Sequence, residues 1–280
     1  MSLCLSLSLA LVAGPAAADE AALEYQRGLS LMKQGKLDEA QAALEGALRL
    51  RPNYTAVELS LGNILRKKKQ CDKAAPHYEE ALKGAPEDPF VTGNLGVCYH
   101  NLGRSAEAAQ MLERAAKAAP NDVQWRYSLG AIYRQSKQLD KALPHLEQAV
   151  KLDGNNVDAL RNLAVTLVAL KQNDRAEQVT KQAIALAPND SELRFNLGVL
   201  YRRQQKNAEA IAAYQEAVRL NERNTPAWYD LGLLLGNERR NKESIEAYSR
   251  FIELAAGNAR DAEAVEAARR QVKIMGGAAR

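Results

Sequence analysis

Histidine and cysteine are nearly absent: the 280 residues hold three of each. His77, His100 and His145 are scattered, and no Cys/His cluster has zinc-ligand spacing. No glycine-rich phosphate loop and no Gly-x-Ser-x-Gly elbow occurs either. A metal, a cofactor and catalysis are therefore not expected. Charge of one sign is also missing. The 38 basic and 34 acidic residues leave a formal +4, and the longest basic run is Arg66 to Lys69. A nucleic-acid binder would carry a basic stripe or a recognisable module, so nucleic acid is not an expected partner. Aromatics are only 5% of the chain, whereas hydrophobic residues are 46%. Much Ala and Leu with few Gly and Pro fits an all-helical protein.

Long apolar runs are missing with one exception. Leu3 to Ala13 has the length of a signal-peptide core and is too short to cross ~30 Å of hydrocarbon as a helix. Ala16, Ala17 and Ala18 then place small residues before Asp19, the first charged residue. Residues 1–18 are expected to be a signal peptide cleaved after Ala18, with the mature chain periplasmic or secreted and free of a stable membrane span. The departure from that pattern is a leading end without Lys or Arg, and a buried or disordered apolar terminus is the alternative. Cleavage would remove Cys4 and leave Cys71 and Cys98, an even pair.

What the chain does have is a period. Gly28, Gly62, Gly96, Gly130, Gly198 and Gly232 fall on one 34-residue grid, and Ala164 holds the missing grid point. Seven repeats follow without insertion: 21–54, 55–88, 89–122, 123–156, 157–190, 191–224 and 225–258. Position 7 is Arg27 and then Leu61, Leu95, Leu129, Leu163, Leu197 and Leu231. Position 20 is Ala40, Ala74, Ala108, Ala142, Ala176, Ala210 and Ser244. Each unit holds two amphipathic stretches of about 13 residues. A helix-interior Gly costs ~1 kcal/mol relative to Ala, so its recurrence needs a packing reason. Small residues at positions 8 and 20 let two antiparallel helices approach. Gly35 and Gly103 suit the turn between them, and Pro52, Pro86, Pro120 and Pro188 end their units. A chain of this kind buries its apolar faces only against neighbouring units, and it works mainly as a surface.

These residues resemble the tetratricopeptide repeat family. The Leu-Gly pair, the tyrosines three residues later (Tyr99, Tyr133, Tyr201), the Ala at position 20 and the closing Pro carry the likeness. So do the large residues at position 24 (Tyr78, Leu112, Leu146, Tyr214, Tyr248) and Trp228. The resemblance covers residues 21–258. It implies an all-α, right-handed α-solenoid with a concave groove lined mostly by the first helix of each pair. It also implies binding of peptides or proteins there without catalysis. Residues 259–276 read as a polar capping helix, with apolar places at Ala262, Val265, Arg269, Val272 and Met275, and 277–280 as a flexible tail. Arg27 in the first repeat reads as an exposed end residue.

On this register positions 2, 5, 6, 9, 12 and 13 of the first helices face the groove. Asn94, Asn162 and Asn196 at position 6 form an incomplete amide ladder, and Asn63 at position 9 of the second repeat fits, with Asn94, the two Asn places of the family's carboxylate clamp. Such amides can hold an extended peptide backbone, or simply suit helix packing. Arg66, His100, Arg134 and Arg202 occupy position 12. Tyr127, Arg161, Phe195 and Tyr229 occupy position 5. Arginine interleaved with aromatics is the composition of binding hot spots and suits an acidic segment. The alternative is a solvated helix end where the dipole favours cations. The family's carboxylate clamp is not expected, because Leu59, Gln124 and Ser128 stand at three of its five places. Cys71 and Cys98 fall on antiparallel neighbours, either as a disulfide or as two small buried hydrophobes. The reading is a non-catalytic scaffold or adaptor in the bacterial envelope. An accessory subunit of a separate enzyme, secretion or polysaccharide complex, or a self-associating scaffold, are the alternatives.

Overall fold

The computed structural model describes residues 15–277, which form fifteen helices and no strand. The chain divides into two compact units between Ser136 and Lys137. The first holds α1 (Pro15–Lys33), α2 (Leu37–Leu50), α3 (Thr55–Lys67), α4 (Cys71–Gly84), α5 (Pro89–Asn101), α6 (Ser105–Ala118) and α7 (Val123–Gln135). The second holds α8 (Leu139–Leu152), α9 (Val157–Ala169), α10 (Asn173–Leu186), α11 (Ser191–Arg203) and α12 (Asn207–Leu220). It continues with α13 (Thr225–Asn237), α14 (Asn241–Ala255) and α15 (Ala262–Ile274). Most of the signal-peptide segment lies outside the described residues, and Pro15 to Ala18 belong to α1.

The helices start and stop where local chemistry dictates. The last residue of a repeat caps the next first helix. The side chains of Asp88, Asp122, Asn156, Asp190 and Asn224 all accept from backbone N–H groups of that first turn. The turn inside each repeat places position 15 in the left-handed region. Gly35 and Gly103 do so with φ of 77°, without steric cost. Lys69, Lys137, Lys171, Gln205 and Arg239 adopt φ of 59–62° at the same place, where a Cβ is strained. Glycine is thus not required at this turn, although the turn geometry is the same.

The grid glycines answer a specific packing need. A Cβ on Gly62 would lie 2.7 Å from the Tyr78 ring, and one on Gly198 would lie 2.5 Å from Tyr214. Gly28 meets Leu44, Gly96 meets Leu112 and Gly232 meets Tyr248 in the same way. The position 8 glycine therefore makes room for the large position 24 residue of its own repeat. Position 20 lies just below, with the Ala108 carbonyl 3.1 Å from a Cβ at Gly96. The alanines of that column are fully buried, and Ser244 satisfies its hydroxyl on the Gly232 carbonyl at 2.6 Å. The fifth repeat departs from this scheme at both places, with Ala164 at position 8 and Thr180 at position 24.

The ends behave differently from the middle. Arg27 is exposed and pairs only with Glu24 at 3.5 Å. In α15, Val265, Ala268 and Val272 bury themselves against Tyr248, Phe251, Ile252 and Ala255. Arg269, expected on the apolar line, instead turns outward to Glu266, and Ala268 takes the buried place. Gly276, at φ 80°, closes the helix.

Candidate partner-binding face

Within each unit the first helices form the tighter layer. In the first unit α1 touches α3, α3 touches α5 and α5 touches α7, and in the second α9 touches α11.

In the first unit the amides are linked to each other. The Asn94 amide donates to Asn63 Oδ1 at 3.1 Å, and the Tyr78 hydroxyl donates to the same oxygen at 2.8 Å. Asn94 is 7% exposed, so these two amides are engaged in joining α3, α4 and α5. Arg66 hydrogen-bonds Tyr78 and lies beside Cys98, its Nε buried and unbonded, and Asp72 lines the same cleft. His100, one repeat on, likewise buries an unbonded Nδ1. Lys67 and Lys69 stand exposed next to them. Among the position 12 residues here, the Arg66 guanidinium forms no ion pair. Tyr127 and Arg134 are half-buried on α7.

The second unit uses its cations differently. Arg161 donates to Asp158 at 2.8 Å and to Asp190 at 2.5 Å, with Glu192 at 3.8 Å. It is tied into the cap of the next repeat and is no free cation. Arg202 lies 3.5 Å from Asp230, whose carboxyl burial raises despite that arginine. The Tyr214 hydroxyl reaches the same carboxylate at 3.3 Å. Asn162 donates to the Asp158 carbonyl of its own helix at 2.9 Å, while Asn196 makes no hydrogen bond. Phe195 packs on Tyr214 at 5.8 Å, and Tyr229 on Tyr248 and Phe251 at 5.7 and 5.1 Å. These aromatics brace first helices against second helices and leave one edge toward solvent.

Cys71 and Cys98 are both buried free thiols that meet between α4 and α5. Burial, and then the hydrogen bond to Cys71, push the Cys98 thiol far up. Asn101 donates to the Cys71 sulfur at 3.4 Å. Among the described residues no group of three or more His, Cys, Asp or Glu is placed to hold a metal ion. No helix among them is long and apolar enough to cross a membrane.

Helix pairs on a fixed period, each buried against the next, define a helical-repeat solenoid, the architecture of protein–protein interaction scaffolds. The chain belongs to the tetratricopeptide repeat family, whose models match residues 25–89, 65–132, 133–197 and 195–259. No curated protein matches it. Among solved structures, a tetratricopeptide repeat protein from Parabacteroides merdae is 18% identical with a TM-score of 0.64, over 92% of this chain and 100% of that one. YrrB, described as having an unusual peptide-binding site, is 22% identical with a TM-score of 0.60, over 66% and 95%. A MamA structure is 25% identical with a TM-score of 0.56, over 60% and 97%.

Proposed function

We propose that this protein is a non-catalytic scaffold of the bacterial envelope that holds an acidic peptide or protein segment against its first helices. The observation that carries the reading is the position 12 row of the first unit. Arg66 and His100 are half-buried there, Arg66 forms no ion pair, and Lys67 and Lys69 stand exposed. A half-buried guanidinium without an ion-pair partner is a ready site for a carboxylate, which would form a charge-assisted hydrogen bond with its remaining N–H groups. The leader-like segment 1–18 supports an exported chain. The peptide-binding site of YrrB is a precedent on the same fold.

The test is a crosslinking pull-down from the native envelope fraction with wild type and an Arg66→Gln/His100→Gln double variant. The expected result is a partner lost from the variant at unchanged helicity and melting temperature. Equal recovery by both proteins would remove the basic row from the account.

A further inference from the structure

The fifth repeat lacks the residue that plugs the others. Where Tyr78 and Tyr214 stand over a grid glycine, Thr180 stands over Ala164. The missing ring leaves a cavity of ≈180 Å³. Its floor is Ala164 and Thr180, both buried, and its walls are Val165, Val168 and Val199. Asn196 and Arg203 stand at the rim. All the wall and rim residues occupy groove positions, so the cavity opens on the first-helix face of the second unit. Larger clefts of the chain sit elsewhere. The one of ≈670 Å³ near Trp228 runs among charged residues of α12 and α14.

The polar groups at the rim are missing a partner in the same way. In the second and sixth repeats the position 24 tyrosine hydroxyl reaches a groove polar group, Asn63 or Asp230. In the fifth repeat no hydroxyl is there, and the Asn196 amide is left without a hydrogen bond. The Thr180 hydroxyl is directed away, onto the Ala176 carbonyl at 2.7 Å. Arg203 is exposed, touches only the Val168 carbonyl at 3.4 Å, and has no carboxylate beside it.

We infer that this cavity is a socket for one apolar side chain of a bound segment, of leucine or phenylalanine size, next to an acidic residue that pairs with Arg203. Size supports the first half, since an engineered apolar cavity of roughly 150 Å³ takes up benzene. Asn196 is positioned to hold the backbone of the same segment, and the lone guanidinium supplies the charge match. The inference rests on the groove reading above and adds where the anchor residue goes.

The fold provides its own blocking variant, Ala164→Gly/Thr180→Tyr, which installs the pair that the second, sixth and seventh repeats already use. Two readouts separate the outcomes. Benzene is added to wild type and variant, and the valine and threonine methyl resonances are followed by NMR. Acidic 12-residue peptides with one Leu or one Ala guest position are then titrated against both proteins. Shifts at Val165, Val168 and Val199 in wild type only are expected, with the Leu peptide binding about tenfold tighter than the Ala peptide. That preference should vanish in the plugged protein. Benzene shifts absent from wild type, equal Leu and Ala binding, or a preference that survives the plug would each overturn the socket. Binding of neither peptide would overturn the groove reading along with it.

Discussion

Replacing Gly198 with Ala sets two effects of opposite sign against each other. Helix propensity alone favours the change by ~1 kcal/mol. The new Cβ, however, would stand 2.5 Å from two ring atoms of Tyr214. That ring cannot swing aside freely. It is fully buried, rests on Phe195, and its hydroxyl is held at Asp230. Overpacking of this kind costs about 1–3 kcal/mol, and so short a contact points to the upper half of that range. The net expectation is a loss of about 1–2 kcal/mol. At the equivalent place in the fifth repeat, Ala164→Gly meets no crowding to relieve, since Thr180 is small. It should also destabilise, by ~1 kcal/mol, through propensity alone. Urea unfolding followed by far-UV circular dichroism measures both. A Gly198→Ala protein more stable than wild type would refute the claim that the grid glycines exist to seat the position 24 residue.

Further outcomes follow from the turns, the ion pairs and the thiols. Lys171→Gly should raise stability by about 0.5 kcal/mol, because relief of the left-handed Cβ strain exceeds the added chain entropy; a lower urea midpoint would contradict this. Glu177 is held down to about 2 from its ordinary 4.5, first by its hydrogen bond from Lys181 and, against the opposing burial, by those from Lys206 and Gln204. A depressed carboxylate stabilises the fold above its unfolded pKa and loses that effect as pH falls. The stability gap between wild type and Glu177→Gln should therefore close between pH 4.5 and about 2, and a gap constant over that range would argue against the pairing. Oxidised glutathione should link Cys71 to Cys98, since the two thiols already meet. Peptide mapping without reductant would detect the bridge, with a gain of at most about 3.5 kcal/mol in stability. Two thiols still free under fully oxidising conditions would show that the geometry resists closure.

Much of the fold was legible because each repeat restates it. The period, the two helices per repeat and the buried alanine column all appear as residue types at fixed spacing. Two signals lie outside that register. The Asp or Asn at position 34 caps five first helices, and its side-chain chemistry was plain in the sequence. Thr180 also stood in view as the small member of a column of large residues, but its meaning depends on Ala164, sixteen residues earlier and one helix away. The face itself was less legible, because spacing places a side chain on a surface without naming its neighbours. Arg161 looked like a free groove cation, yet it is held by Asp158 and by Asp190 of the following cap. Asn94 stands in the amide column expected to face a ligand, yet its side chain donates to Asn63 of the neighbouring repeat. Both outcomes depend on contacts between repeats, which a one-repeat register cannot display.

The most direct test of the account is a comparison of photo-crosslinking from the two sides of one repeat. Benzoylphenylalanine is introduced in place of Lys67, on the first helix, or in place of Lys83, exposed on the second. Each protein is then irradiated in the native envelope fraction. The account predicts a discrete crosslinked partner from position 67 and none from position 83. The same partner captured from position 83 alone would contradict it and assign binding to the second-helix face.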